Sequence, residues 1–308
     1  MGENVRTVAM LRDNFQMFWQ TSRYRIDLAT PKVMGIVNVT PDSFSDGGQF
    51  TSTQAALAHC EALVKAGADI LDIGGESSRP GAMPLSLSDE LARVLPVLQG
   101  AVKLGLPISI DTCKPEVMQA ALDLGADIIN DIRALQGQGD TALAHTALQV
   151  VSQHPKCGVC LMHMHRSPQT MQVQPMQGDV IAQVLQFWAQ ITQRLLGLNI
   201  DRTRIVLDPG IGFGKTVEQN FALLARQNEL LAAGYPLLLG WSRKSSLAVA
   251  TSSSLATIAT MDVRDRLVPS VTAAILAVQR GARIVRVHDV RETVQALAVL
   301  ARAGQLAL

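Results

Sequence analysis

A single structural unit repeats along most of this chain. A short apolar run rich in β-branched residues ends in polar residues and glycine, and an amphipathic stretch follows it. The apolar runs predict strands at 33–39, 69–75, 107–112, 127–132, 158–164, 204–209, 236–242 and 282–289. The stretches between them predict helices, for example at 53–65, 88–103, 115–124, 180–196, 217–231 and 266–279. Eight such units predict one closed, parallel (β/α)8 TIM barrel of the α/β class, since the alternative, an open doubly wound sheet, usually has fewer strands and a glycine-rich first turn.

The length suits one barrel. The chain has 308 residues, of which 48% are hydrophobic, and barrels of this kind commonly reach that size. We expect the barrel at 32–308 and an N-terminal extension at 1–31. With 27 basic and 26 acidic residues, the chain gives no reason to expect a nucleic-acid partner. No apolar run resembles a secretion signal or reaches membrane-spanning length, so we expect a soluble, cytoplasmic protein without a membrane partner.

Two short motifs could suggest metal or redox chemistry, but a structural interpretation suits both better. The sequence C-G-V-C at 157–160 runs into an apolar strand, and no second cysteine pair completes a zinc site. The sequence M-H-M-H at 162–165 places its histidines on the strand face opposite Met162. We interpret Met162 as part of an apolar wall and the histidines as structural.

The polar residues at the strand ends fall on one face. Side chains alternate along a strand, so residues two apart point the same way. The pairs on this face are Ser109 with Asp111, Ile128 with Asn130, Val206 with Asp208, Gly240 with Ser242, and Arg286 with His288. The face turns polar only at the carboxyl ends of the strands, where such barrels do their chemistry. The pattern therefore predicts a polar ligand site at the mouth of the barrel.

Three of these residues predict recognition of a flat heterocycle. Asp111, Asn130 and Asp208 bring two carboxylates and an amide to one rim. Such a set suits an amino-pyrimidine edge, because an analogue without that edge would leave buried polar groups unpaired. The alternative is that Asp111 and Asp208 cap the helices that follow them.

Four cations at the same rim predict an anion site. They are Arg79, Lys244, Arg286 and His288. The last two strand–helix loops of a barrel often bind phosphate, and a helix beginning near Ser245 would add the positive end of its dipole. We therefore expect the segment 243–245 to take part, together with a bidentate contact from Arg286.

The glycine-rich segment 208–216, D-P-G-I-G-F-G-K-T, matches a nucleotide-binding P-loop only in part. That motif requires glycine five positions before Gly214, where this chain has Pro209. We interpret the glycines as letting the backbone approach a ligand, with Phe213 beside it.

Eight motifs together resemble those of the dihydropteroate synthase family. They are N-V-T-P-D-S-F-S-D-G-G at 38–48, D-I-G-G-E-S-S-R-P-G-A at 72–82, S-I-D-T at 109–112, N-D at 130–131, L-M-H-M at 161–164, D-P-G-I-G-F-G-K at 208–215, G-W-S-R-K-S-S at 240–246 and R-V-H-D-V at 286–290. Each motif is weak alone, but all eight stand in order at predicted strand ends, across about 32–303. The family joins 6-hydroxymethyl-7,8-dihydropterin pyrophosphate to p-aminobenzoate with Mg²⁺, giving 7,8-dihydropteroate and pyrophosphate in folate biosynthesis.

The resemblance implies a role for each candidate site residue. It implies pterin binding by Asp111, Asn130, Met162, Asp208, Phe213 and Lys244. It implies pyrophosphate binding by Asn38, Arg79, Arg286 and His288, with Asn38 also serving the metal ion. It implies p-aminobenzoate binding by Ser78, Arg79, Pro80, Phe213 and Ser245, beneath two closing loops at 40–48 and 77–82. The residues expected to carry catalysis are Asp111, Lys244, Arg286 and His288.

The resemblance also implies a homodimer. The chain departs from the family pattern at Ser78, which replaces the usual threonine, and we expect this change to loosen one contact with the aminobenzoate ring. Two rival interpretations share the pterin-binding barrel. Methyltetrahydrofolate-dependent corrinoid methyltransferases would not need Arg79, Arg286 and His288. A non-catalytic pterin-binding paralogue would not need to retain nearly every catalytic position.

Overall fold

A computed structural model describes residues 18–40, 48–77, 81–137, 146–168, 170–171, 173–251 and 262–304. Within these residues, two short strands form an antiparallel hairpin, and eight further strands form one parallel sheet. The hairpin strands are β1 (Phe18–Gln20) and β2 (Arg25–Asp27). The sheet strands are β3 (Lys32–Asn38), β4 (Ile70–Gly74), β5 (Ile108–Asp111), β6 (Ile128–Asp131), β7 (Gly158–Met162), β8 (Ile205–Asp208), β9 (Leu238–Leu239) and β10 (Ile284–Val287).

The sheet closes into a barrel. Its strand order is β8-β7-β6-β5-β4-β3-β10-β9, and a parallel bridge between Leu207 and Leu237 joins its two ends. The predicted (β/α)8 barrel is therefore confirmed. The seventh barrel strand, β9, is shorter than predicted, because the chain after Leu239 leaves the sheet for a turn in which Arg243 has a φ of 60°.

Helices surround the barrel. They are α1 (Gly48–Lys65), α2 (Leu87–Ala101), α3 (Pro115–Asp123), α4 (Ala147–Gln153), α5 (Val180–Gly197), α6 (Val217–Ala225), α7 (Gln227–Leu230), α8 (Ser245–Thr251), α9 (Leu267–Gln279) and α10 (Val290–Arg302). The helix expected near Ser245 is present as α8. The helix predicted at 217–231 is divided at Arg226, and the side chain of the next residue, buried Gln227, donates to the carbonyl oxygens of Ala277 and Arg280.

The barrel interior is apolar at the amino ends of the strands. Inward-facing residues of seven strands form one buried cluster, which contains Met34, Ile70, Ile128, Cys160, Val206, Leu238 and Ile284. Outward-facing residues such as Val285 and Val287 pack in a separate cluster with the helices. The alternation read from the sequence is confirmed, and it leaves polar inward positions only toward the carboxyl ends.

The β1–β2 hairpin covers the apolar end of the barrel. Trp19 is fully buried against the inward-facing cluster, and its Nε1 donates to the carbonyl oxygen of Arg204 at 2.8 Å. Arg23, in the hairpin turn, forms an ion pair of 2.6 Å with buried Asp127 of the barrel. Residues 18–28 are thus an integral part of the barrel's amino end.

The four cysteines are unpaired, and Cys157 and Cys160 are fully buried, as the strand interpretation predicts. No helix in the described part of the chain is both long and apolar enough to cross a lipid bilayer.

Candidate active site

Polar side chains meet at the carboxyl ends of the barrel strands, as predicted. Asn38, Asp111 and Asp208 are the last residues of β3, β5 and β8. Asn130 lies one residue before the end of β6, and Arg286 lies one residue before the end of β10. Parallel strands bring these ends to one rim, which we call the mouth.

Arg286 joins two carboxylates across the mouth. Its Nε donates to Oδ2 of Asp72 at 2.6 Å, and its second terminal nitrogen donates to Oδ2 of Asp111 at 2.7 Å. Although burial opposes its charge, the carboxylates of Asp72 and Asp111 raise the pKa of Arg286. Burial raises the pKa of Asp111 to about 7, although the positive charge of Arg286 acts to lower it. This carboxylate is therefore poorly hydrated, which strengthens its attraction for cations and N–H donors.

The capping alternative for the two aspartates is wrong. Helix α3 begins at Pro115 and α6 begins at Val217, where Thr216 supplies the cap, so neither helix is capped by an aspartate from the mouth. Asp208 does organise its own turn, since its Oδ1 accepts a hydrogen bond of 2.7 Å from the Gly210 backbone nitrogen. Burial raises the pKa of Asp208 as well.

Lys244 and Phe213 form a second part of the mouth. The Lys244 ammonium lies 4.2 Å from the centre of the Phe213 ring, a cation–π contact. Burial lowers the pKa of Lys244 to about 8, while Asp208 opposes this effect. Phe213 also belongs to an apolar cluster with Met162 and Met171, so the pocket combines an apolar wall with polar groups.

His288 is held by a serine on the neighbouring strand end. The backbone nitrogen of His288 donates to Oγ of Ser242 at 3.1 Å, and the same oxygen lies 2.9 Å from Nδ1. A hydroxyl that donates to Nδ1 fixes the proton of a neutral ring on Nε2. His288 is then oriented to donate to an anion at the mouth.

The three residues of the segment 243–245 have different surroundings. The guanidinium of Arg243 forms an ion pair with Asp289 at 2.5 Å, because the turn at this residue directs its side chain toward the start of α10. Lys244 contacts Phe213, and Ser245 is exposed as the first residue of α8.

The glycine-rich loop between β8 and α6 is organised by a buried lysine. Lys215 is 2% exposed, and its Nζ donates to the carbonyl oxygens of His163, Gly210 and Phe213. Burial lowers the pKa of Lys215 to about 7. The lysine holds the loop and does not reach toward a phosphate, which agrees with rejection of the P-loop.

The histidines after β7 have structural surroundings. His163 packs edge-on against Phe187 of α5, with ring centres 5.1 Å apart, on the outer side of the barrel. Burial lowers its pKa to about 3, so the ring stays neutral. Met162 faces inward, as predicted. The described residues contain no cluster of three or more histidine, cysteine, aspartate or glutamate side chains that could hold a metal ion.

Part of the predicted site lies outside the described residues. Ser78, Arg79 and Pro80 belong to this part, as do residues 41–47 of the first loop. A cavity of about 200 Å³ is lined by Met162 of the mouth together with Ile132 and Phe187.

Two contributors to the site were not singled out from the sequence. Asp72 shares the inward face of β4 with Ile70, so the alternation rule could have identified it. Lys215 gave no such signal, because its role depends on carbonyl groups from two different loops.

The fold and the mouth define a barrel enzyme that binds ligands at the carboxyl ends of its strands. Residues 34–288 match the pterin binding enzyme family, and the chain belongs to that family.

Its relatives include dihydropteroate synthases. That of Neisseria meningitidis serogroup B is 46% identical over 286 residues, which cover 91% of this chain and 95% of that protein. The Xanthomonas albilineans dihydropteroate synthase, solved with 4-aminobenzoic acid, superposes with a TM-score of 0.81 at 44% identity, covering 92% of this chain and 96% of that one. The Burkholderia cenocepacia enzyme, complexed with 7,8-dihydropteroate, has a TM-score of 0.81 and 42% identity and covers 94% and 97% of the two chains.

Proposed function

We propose that this chain is a dihydropteroate synthase, which joins 6-hydroxymethyl-7,8-dihydropterin pyrophosphate to p-aminobenzoate and releases pyrophosphate. One observation carries the proposal. A heterocycle-binding set, Asp111 with Asn130 and Asp208, converges with the anion-binding Arg286, whose guanidinium lies 2.7 Å from Asp111. The Xanthomonas and Burkholderia structures support the same substrates, because they hold 4-aminobenzoic acid and 7,8-dihydropteroate.

In this proposal the pterin lies in the mouth. Asp111, Asn130 and Asp208 accept hydrogen bonds from its amino-pyrimidine edge, and Lys244 donates to its ring acceptors. Met162 and Phe213 bury its faces, which suits a flat ring because both belong to one apolar cluster. Buried polar groups at the floor discriminate against rings that cannot pair with them.

The pyrophosphate is held by Arg286, His288, Arg79 and Asn38. The side-chain oxygen of Asn38 suits Mg²⁺, which binds oxygen ligands and commonly uses one or two protein groups together with substrate phosphates. Asn38, the last residue of β3, would hold this ion at the mouth. A bound Mg²⁺ would neutralise charge on the leaving group.

The aminobenzoate contacts the ring of Phe213 and Ser245, together with Ser78, Arg79 and Pro80, which lie outside the described residues. The exposed position of Ser245 at the start of α8 is compatible with contact to a second substrate that arrives from solvent.

Catalysis in this site is electrostatic. The carbon–oxygen bond breaks with its electron pair leaving on the pyrophosphate, and the positive charge spreads into the pterin ring. Arg286 and His288 stabilise the leaving group, whereas Asp111 stabilises the cation. The arylamine nitrogen then forms the new carbon–nitrogen bond, and the proton that it releases passes to solvent. A neutral amine needs no strong base, so the site requires no nucleophile–base pair.

The deciding experiment measures product formation. Purified protein with Mg²⁺ and both substrates should form dihydropteroate and pyrophosphate in equal amounts. Asp111→Asn should reduce kcat by about a hundredfold or more, because it removes the charge that faces the cation. Asp123→Asn, an exposed carboxylate at the end of α3, is the matched control and should retain parental activity. Folded parent protein that forms neither product would refute the function.

We further infer that the protein is a cytoplasmic homodimer. The unpaired cysteines suit a reducing compartment. Val268 of α9 and Val299 of α10 are more than two-thirds exposed, at 72% and 70%, and such residues are candidates for a subunit interface. Light scattering coupled to size-exclusion chromatography should give twice the 33.1 kDa mass of one chain.

A further inference from the structure

Asp72 is a buried carboxylate beneath the mouth. It lies on β4 between Ile36 of β3 and Ser109 of β5 in the parallel register, and it is fully buried. Asp111, in contrast, retains 16% exposure of its side chain at the rim. The two carboxylates that share Arg286 therefore differ in their access to a ligand.

One oxygen of Asp72 holds two residues of the site. Oδ2 accepts from Nε of Arg286 at 2.6 Å and from Nδ2 of Asn130 at 3.1 Å. The first contact fixes the plane of the guanidinium. The second fixes the orientation of the amide, because a carboxylate accepts from the NH2 end, and this leaves Oδ1 of Asn130 as the acceptor for a ligand N–H.

The second carboxylate oxygen of Asp72, Oδ1, makes no such contacts. It is buried and has no hydrogen-bond partner among the described residues. A buried acceptor left unpaired costs stability. Packing alone would favour an apolar side chain at this position, so the contacts of Oδ2 are the reason that the carboxylate is useful here.

We propose that Asp72 is a positioning residue that aims Arg286 at the pyrophosphate and Asn130 at the pterin through a single buried oxygen. Asp72 is the permanent partner of Arg286, whereas Asp111 is the exchangeable one. Ligand binding draws the terminal nitrogen of Arg286 away from Asp111, which frees Asp111 for the pterin, while the Nε contact with Asp72 remains. This inference rests on the proposed function.

The test compares Asp72→Asn with Asp127→Asn. Asp127 is a matched control, because it is also fully buried and paired with an arginine, but at the opposite end of the barrel. In Asp72→Asn, the dissociation constants for inorganic pyrophosphate and 6-hydroxymethylpterin, both measured by calorimetry, should rise about tenfold or more, with KM for p-aminobenzoate within about twofold of the parent value. Asp127→Asn should lower the melting temperature and leave all three constants unchanged. Unchanged pyrophosphate and pterin constants in folded Asp72→Asn would overturn the proposal.

A double-mutant cycle separates positioning from general damage. If Asp72 acts on pyrophosphate through Arg286, then adding Asp72→Asn to Arg286→Lys should change the pyrophosphate constant by less than about twofold. Fully additive effects would contradict the proposal.

Calorimetry measures both binding steps without turnover. A parent protein that binds both ligands but forms no dihydropteroate would therefore count against the proposed function and leave the role of Asp72 intact.

If Asp72→Asn does not fold, a crystal structure of the parent protein tests the proposal instead. Crystals with 6-hydroxymethylpterin and pyrophosphate should keep the contact between Nε of Arg286 and Asp72 and lose the one to Asp111. Release of Arg286 from Asp72 would overturn the proposal.

Discussion

Individual residues at the mouth are held in place by protein contacts that need no ligand. Arg286 is held by Asp72, His288 by Ser242, and Asp208 by the backbone of its own turn. Groups fixed in this way require little reorganisation when charge develops on a substrate. The mouth is thus suited to electrostatic catalysis before substrates arrive.

One prediction at this scale concerns pH. The pKa of buried His163 is lowered to about 3, so the folded state keeps the ring neutral while the unfolded chain binds a proton below about pH 6.5. The contribution of this residue is therefore fully present above pH 6.5 and is lost as pH falls toward 3, by at most about 1.4 kcal/mol per pH unit. His163→Phe keeps the edge-on contact with Phe187 but cannot titrate. Denaturant unfolding of both proteins from pH 7 to 4 should show a smaller loss in the variant, and parallel pH curves would contradict the prediction.

The sequence predicts the position of a side chain better when that position follows from strand alternation than when it depends on the path of a loop. Asp111, Asn130 and Asp208 reach the mouth because alternate positions of a strand share a face. The partner of Arg243 could not be read in this way, because Asp289 lies at the start of α10, 46 residues away, and meets it only through a turn with positive φ.

Among the structural elements, the loop between β8 and α6 is tightly constrained. Gly210, Gly212 and Gly214 all have φ between 68° and 82°, and a Cβ at Gly214 would collide with the backbone oxygen of His165. The amide of Asn220 connects this loop to α8, through the Gly212 nitrogen at 2.8 Å and Ser246 Oγ at 3.0 Å. A change in the backbone of this loop would therefore alter the positions of both Phe213 and Lys244.

Gly214→Ala tests this constraint. The substitution should destabilise the protein by about 2 kcal/mol or more, since alanine is strained at this φ and its Cβ meets fixed backbone. The matched control is Gly197→Ala, at the end of α5, where a Cβ meets nothing within 4 Å and φ is not positive. That change should be neutral or stabilise by up to about 1 kcal/mol. Equal free energies of unfolding for the two variants would show that the loop is not constrained as described.

Elements with a clear period were predictable, and those that depend on distant contacts were not. The barrel strands and the long helices follow periods of two and 3.6 residues. The β1–β2 hairpin has only three residues in each strand. Its position against the barrel depends on contacts such as that of Trp19 with Arg204, 185 residues away. The break between α6 and α7 likewise involves Gln227 bonding to residues near the end of α9.

For the whole molecule, the barrel interior divides into an apolar amino half and a polar carboxyl half. Trp19 completes the apolar half, where it contacts the inward-facing cluster and is fully buried. Trp19→Ala should therefore lower the free energy of unfolding by about 3–5 kcal/mol. KM and kcat should not change at a temperature where the variant is folded, because the mouth is at the other end.

Val173→Ala is the control for that change. Val173 is 77% exposed, so its replacement should change the free energy of unfolding by no more than about 0.5 kcal/mol. Chemical unfolding and steady-state kinetics on both variants check the prediction. A Trp19→Ala protein with parental stability would mean that the hairpin adds little to the barrel.

The hairpin also has a consequence for the order of events in turnover. With Trp19, Ile26 and Leu28 filling the amino end, substrates and products share the passage at the mouth. A ligand that binds deepest must then arrive first. If the pterin occupies the floor formed by Asp111 and Asn130, p-aminobenzoate can only bind productively after it, because the filled base of the barrel leaves both substrates the same approach.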